Sequence, residues 1–556
     1  MPGHEPAANE LDTRELAALH GAGDPAATPG ETQAAHSETP APGGSPAAPG
    51  GPATVTGGPA ARLLAIAGLW VSVFAVSLGL FTLRFLVPVP VGMADNHDGP
   101  RLMCGLGVGP VTGGHPRYFS YAYFMFHSDP ACSGVHVYPS SQHLLLDAAR
   151  WLTPVLGLPG AVNLIALGLL TCAIAAFGIA SLTTGLRLPL WARLLVAAAV
   201  WLIMADAAFF PTFASPFSEG ATLSGLLLVA AGVVYLGRGW RGTAFGLLLA
   251  GTGAILAIPS KEQYVTLVVP ICLTVVLASA VRGGRRGLRR FLTRQAGAAA
   301  LVAAALVVMT AVYVHWDGES RYATTLHREQ AVDVIFKDIV NGHDNARADL
   351  HALGLPASWA KYAGTDAFTK ISVRRDPLYA RYAGRLTEST IAGFLLTHPG
   401  RILGIGQLAA TFALDFRVTY LGNYAPGAGH PPGALEHRVE VVSWLVQRIP
   451  AGSGLWWLIP LWAAMAAIAI GALRTERRSA RRGALICAPW RRDGAVLVLC
   501  MTGCAIAAFI PAAYFDGIST TRHMIGMNLS TALAVPVSVA LAVSMLSRAV
   551  TRSRCL

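Results

Sequence analysis

Ten apolar stretches punctuate this chain and limit what it can fold into. They run roughly over 63–83, 161–183, 191–210, 221–237, 243–259, 264–281, 296–314, 455–473, 494–513 and 524–546. A helix that crosses a bilayer needs ~20 mostly apolar residues, and each stretch meets or approaches that length. Several contain Gly, which membrane helices tolerate. Composition agrees: 53% of the 556 residues are hydrophobic and 13% are charged, against roughly 25% charged in an ordinary globular domain. A soluble protein of this length could not cover its surface with so little charge. The chain reads as an all-α polytopic membrane protein of about ten transmembrane helices.

Arginine fixes the expected orientation. Arg187 lies between the second and third stretches and Arg193 at the very start of the third, and Arg238 and Arg241 between the fourth and fifth. Six Arg fall in 282–294, seven in 474–492, and Arg548, Arg552 and Arg554 near the end of the sequence. Cytoplasmic loops carry the excess of Lys and Arg, so these loops and both termini are expected on the cytoplasmic side. The run 391–414 is apolar enough to cross, but crossing would move the seven-Arg loop outside. His398-Pro399-Gly400-Arg401 also interrupts it. It is therefore expected flat on the outer surface or partly re-entrant. That leaves 315–454 as one external, mainly helical domain, inserted before the last three spans.

The divisions that follow are a disordered cytoplasmic tail over 1–60, spans one to seven over 61–314, the external domain over 315–454, spans eight to ten over 455–546, and a cytoplasmic 547–556. The first 60 residues contain no aromatic side chain and only Val55 as a β-branched aliphatic, too little to offset the entropy of ordering. They do not read as a signal peptide, because the first apolar run opens only near Ala61. Of eight Cys, only Cys104 and Cys132 fall on the expected outer side, both in the first external loop, 88–143. A disulfide between them suits that compartment, and two reduced buried thiols are the other reading.

Charge is scarce, so charges at one membrane face stand out. The first external loop opens with Asp95, His97, Asp98 and Arg101 in "DNHDGPR". The third stretch ends in "MADAAFFPTFASPFSEG", with Asp206 and Glu219. Lys261 and Glu262 occupy the tight turn "IPSKEQYV", and Asp516, Arg522 and His523 lie in "YFDGISTTRH". Ionisable residues at the membrane are costly and mark cavities or pathways. Plain roles compete for each: Asp206 and Glu219 could cap helices, and Lys261 with Glu262 could form a snorkelling pair. The Gly-rich "CGLGVGPVTGG" lacks the Lys-Ser/Thr of a phosphate loop. No Cys/His spacing matches a zinc site. The Arg clusters are explained by topology, so no nucleic-acid partner is expected.

An acidic first external loop directly after span one, followed by basic or polar residues in later short loops ("SKEQ" 260–263, "TTRH" 520–523), resembles the C-type (GT-C) membrane glycosyltransferases, closest to bacterial enzymes that build cell-surface glycans with hexoses. The resemblance covers most of 61–546 in architecture and a few residues in motif. It departs in placing the soluble domain before the last three spans and in having fewer spans than many members. It implies a bacterial plasma-membrane enzyme that takes a sugar from a polyprenyl-phosphate donor. The acceptor would be a cell-envelope glycan or lipid-linked molecule on the external face, and the configuration would invert. Asp98 or Asp95 would be the general base, with Asp98 favoured because Arg101 lies one helical turn on. Lys261 and Arg522 would hold the departing phosphate, while Arg101, His97, Glu262 and His523 would contact substrate. A divalent metal, Mg2+ or Mn2+, could bridge Asp98 and phosphate. Trp316, Tyr322, Trp359, Tyr362, Tyr379 and Tyr382 could stack on an acceptor glycan or fill an ordinary core. A transporter or flippase of a lipid-linked glycan is the competing class. It predicts charges deep in several spans and an internal repeat, and neither is evident.

Overall fold

A computed structural model describes residues 59–96, 98–110, 119–132, 137–278, 321–341, 345–450, 452–481, 489–517 and 521–553. Most of the expected tail, the 296–314 stretch, His97 and Trp316 lie outside the described residues. Helix α1 (Pro59–Leu86) is followed by Pro88 and Pro90, which cannot continue it. After the short α2 (Gly99–Met103) come α3 (Gln142–Val155), α4 (Leu164–Gly185), α5 (Leu190–Ala205), α6 (Glu219–Val233) and α7 (Gly239–Ala257). The next helix, α8 (Glu262–Ala278), opens with a 3-10 turn over Glu262–Leu267. Beyond the undescribed segment lie α9 (Arg321–Asp333), α10 (Ala346–Ala352), α11 (Tyr379–Tyr382), α12 (Glu388–Thr397), α13 (Pro399–Asp415) and α14 (Val441–Val446). Then come α15 (Gly454–Arg481), α16 (Pro489–Tyr514) and α17 (Ile525–Ser553).

Six of these contain segments long and apolar enough to cross a membrane: Leu63–Leu86, Leu164–Gly185, Gly239–Ser260, Gly454–Arg478, Trp490–Tyr514 and Ile525–Ser547. Leu190–Ala205, Glu219–Val233 and Glu262–Ala278 are apolar but shorter. Against the expected count of about ten, the described residues thus hold six helices of spanning length and three shorter apolar ones, and the 296–314 stretch lies outside them. Apolar runs outlast the helices they contain. The run 191–210 leaves its helix at Ala205, where Asp206 adopts extended backbone, and a 3-10 turn over Phe210–Ala214 follows. All fifteen residues of α6 are buried, so it is apolar because it is the core of the bundle. At 1.5 Å per residue it is only about 22 Å long.

Two further expectations need adjusting. The fold is not purely α, since β1 (Val108–Pro110), β2 (Met125–Ser128) and β3 (Val162–Asn163) form an antiparallel sheet in that order. Val108 pairs with Ser128 and Met125 with Asn163. The unit folded from the first loop therefore extends past residue 143, and a Cys104–Cys132 disulfide crosses it. In the inserted region, Trp359 and Tyr362 are buried in a second core with Phe336, and Tyr379 and Tyr382 pack against it. These rings fill a core and are not a stacking platform for a glycan. The 391–414 run is split at His398-Pro399 between α12 and α13, and α13 packs on α15 and α16.

Candidate functional site

Between the bundle and the inserted region lies a cavity of about 840 Å3. The segment after α1, the start of α6, the turn into α8 and the loop between α16 and α17 line it from the bundle side. Leu326, His327, Glu329, Gln330, Phe368, Glu388 and Tyr420 line it from the inserted region.

The two acids of the first loop have separate places. Asp98 stands at the N-cap of α2 but makes no capping hydrogen bond. Asp95, buried at 9% exposure, performs a related task instead: its Oδ1 accepts the Gly99 N–H at 2.9 Å. Asp98 is thereby left to line the cavity, and Asp95 is not among the lining residues. Oδ2 of Asp98 meets Arg522 Nη2 at 2.5 Å, and Oδ1 lies 3.4 Å from Arg101 Nη1. Arg522 also donates through Nη1 to Asn96 Oδ1 at 3.1 Å and stacks over Phe217, 4.5 Å from the ring centre. Burial works to raise the Asp98 carboxyl. Arg522 and then Arg101 outweigh it and hold the group at about 2.

A chain of alternating charges continues from there. Glu219 Oε1 lies 3.5 Å from Arg522 Nε and 3.9 Å from Lys261 Nζ. Lys261 Nζ is in turn 3.7 Å from Asp516 Oδ2, which meets His523 Nδ1 at 2.5 Å. Burial also works to raise Asp516, but His523 and Lys261 keep it well below the usual carboxylate range. Burial pushes the His523 imidazole down despite Asp516 beside it. Gln263 Nε2 donates to the His523 carbonyl at 3.1 Å, tying the start of α8 to the last loop.

Six residues singled out from sequence, Asp98, Arg101, Lys261, Glu262, Arg522 and His523, thus share one cavity wall system. Of the other two, Asp95 supports the loop and His97 lies outside the described residues. Glu219 and Asp516 join the site, although a helix-capping role for Glu219 was the plainer reading of its position. Asp206 does not. It accepts from the N–H groups of Ala208, Val442 and Ser443 and ties α14 to α5. A metal held by Asp98 does not fit these donors. Both its oxygens face guanidinium groups, and no group of three His, Cys, Asp or Glu among the described residues could hold an ion.

These features define the class: a multi-pass, mostly helical membrane protein with a charged cavity where loops from across the sequence meet. The chain belongs to the family of the YfdI N-terminal transmembrane domain, whose model matches residues 60–537. No curated protein and no solved structure matches it.

Proposed function

We propose that this protein is a GT-C-type glycosyltransferase of the bacterial plasma membrane, with both termini cytoplasmic and the cavity on the external face. It moves a sugar from a polyprenyl phosphate to a hydroxyl of a cell-envelope glycan or lipid-linked acceptor. The observation that carries this reading is the meeting of a carboxylate, Asp98, with two cations from distant loops, Lys261 and Arg522, on one cavity. Neither Lys261 Nζ nor Arg522 Nε has a hydrogen-bond partner among the described residues, and fixed cations suit the negative charge that develops on a leaving phosphate.

Asp98 held at about 2 by Arg522 is a weak base. Donor binding changes that. Phosphate oxygens compete for the Arg522 guanidinium, the ion pair loosens, and the Asp98 carboxylate regains basicity when the acceptor is to be deprotonated. The acceptor proton passes to Asp98, its oxygen bonds the anomeric carbon, and the carbon–oxygen bond to phosphate breaks. Polyprenyl phosphate departs with the electron pair, and the configuration inverts.

Membranes containing the protein, supplied with a radiolabelled polyprenyl-phosphate sugar and acceptor, test this. Asp98→Asn is expected to lower transfer by about 10²-fold or more, the scale of a lost general base. Asp95→Asn, which keeps an oxygen able to accept the Gly99 N–H, is expected to retain most transfer. Full activity in the combined Asp95→Asn, Asp98→Asn variant would end the assignment of the base.

A further inference from the structure

Lys261 and Arg522 come from separate loops, one preceding α8 and the other preceding α17, joined nearby by the Gln263 hydrogen bond to the His523 carbonyl. Glu219 makes contact with both. Its carboxylate is 2% exposed, and a single oxygen, Oε1, faces Arg522 Nε at 3.5 Å and Lys261 Nζ at 3.9 Å. Among the described residues, no other carboxylate forms an ion pair with both cations: Asp98 pairs with Arg522 and Asp516 with Lys261. Glu219 is also the first residue of α6, where the unpaired N–H groups of the helix favour a negative charge. Since every residue of α6 is buried in the bundle, the carboxylate stands on a rigid support.

Both contacts are too long for hydrogen bonds. The cations are neutralised at a distance: Lys261 Nζ and Arg522 Nε are buried with no hydrogen-bond partner among the described residues, while Arg522 Nη1 and Nη2 donate to Asn96 and Asp98. Such a shared counter-ion has two consequences. It stops the like charges from driving the loops apart, and it competes with any anion that arrives between them.

Building on the donor reading above, we propose that Glu219 is a positioning residue for the leaving phosphate. It fixes the spacing of Lys261 and Arg522 so that both engage one phosphate, and its charge weakens their hold enough for polyprenyl phosphate to leave after transfer. Removing the charge should therefore tighten binding of the product while slowing turnover. General damage to the fold would weaken both.

The test uses the full chain in lipid nanodiscs, with a short-chain polyprenyl monophosphate as the binding probe and the corresponding phosphosugar for turnover. Glu219→Gln preserves shape and is expected to lower the Kd of the probe by about 5-fold or more and kcat by about 10-fold or more. Glu219→Asp retains the charge but retracts it by one methylene, and should shift both quantities the same way to a smaller degree. It also serves as the deciding variant if Glu219→Gln does not fold. Tighter binding with slower turnover supports the proposal. Unchanged or weaker binding by a folded variant overturns it while the donor reading stands, provided the unmutated protein binds the probe. Failure of the unmutated protein to bind the probe overturns both.

Discussion

Asp98 makes the pH behaviour of the site specific. Its folded pKa of about 2 lies below the ordinary value of 3.8, so its ion pair contributes stability above the ordinary value. That contribution is lost as pH falls towards 2. With about a third of the side chain exposed, solvent screening keeps this contribution small. The more useful consequence is kinetic. If the protein catalyses the proposed transfer, kcat/KM should show no acid limb from Asp98 at about pH 5–8, because the carboxylate is already ionised in the unliganded protein. Arg522→Ala removes its strongest partner, so whatever transfer survives should acquire an acid limb nearer the ordinary carboxylate range. A pH profile of kcat/KM for the two proteins reads the difference, and coincident profiles would contradict the pairing. Asp333 behaves in the opposite way. Burial is the main cause that raises its carboxyl to about 7; Asp366 and Glu329 add to it, while the Ala367 N–H and Lys337 oppose it. Protonation then favours the folded state, and the stability is lost as pH rises from about 4 through 7. Asp333→Asn should therefore melt higher than the unmutated protein at pH 8 and alongside it near pH 4. Parallel melting curves at both pH values would refute that.

Glycine spacing sets how closely elements approach. A Cβ on Gly225 of α6 would lie 2.4 Å from the Gly253 carbonyl oxygen of α7, and one on Gly253 would lie 2.5 Å from the Gly225 oxygen. One turn pair further along, a Cβ on Gly232 would lie 2.4 Å from the Ala250 nitrogen and one on Gly246 2.8 Å from the Gly232 oxygen. Both helices thus present glycines seven residues apart, and backbone meets backbone as in other small-residue membrane interfaces. This contact holds α6 against α7 and therefore fixes Glu219, at the head of one helix, relative to Lys261, just past the end of the other. Gly225→Val must separate the helices, at a cost of about 1–3 kcal/mol or more. Gly251→Val on α7, where a Cβ meets nothing within 4 Å, should cost little. Thermal unfolding in nanodiscs compares the two directly, and equal losses would mean that the close approach is not what holds the pair.

At the scale of the whole molecule, long apolar runs announced a membrane protein because length and low polarity are local properties. The site was partly legible for a related reason: in a chain with 13% charged residues, Asp98, Lys261 and Arg522 at helix ends have few innocent explanations. What stayed hidden was set by contacts across the sequence. Nothing local marks His327, Gln330 or Tyr420 as cavity residues, and which of Asp95 and Asp98 lines the cavity turned on which carboxylate reaches the Gly99 N–H. Helix length was hidden too, because the 191–210 run does not reveal that its helix ends at Ala205.

The same long-range character governs how the inserted region is held. Arg84, in the last turn of α1, forms an ion pair with Glu436, and both side chains are almost wholly buried. Arg84 also donates to the Ala205 carbonyl at 3.0 Å and lies over Phe210, while Arg438 donates to the carbonyls of Arg84 and Val89. A few residues on, Gly92 and Ala94 donate backbone hydrogen bonds to Asn423 and Gly422. The strand of chain that delivers Asp98 is thus pinned to the inserted region on both sides of Val91. Glu436→Gln would leave a buried guanidinium without its counter-charge, at a cost of about 3–5 kcal/mol. An exposed pair such as His327 with Glu388 is worth about 0–1 kcal/mol. Replacing both members with apolar residues, Arg84→Met with Glu436→Leu, removes the stranded charge and should recover much of the loss. Melting temperatures of the three variants form the measurement. If Glu436→Gln melts with the unmutated protein, the pair does not bind the inserted region to the bundle. If it is destabilised and the double variant recovers, the cost lies in the stranded charge, and the backbone contacts at Gly92 and Ala94 are enough to keep the Asp98 segment in place.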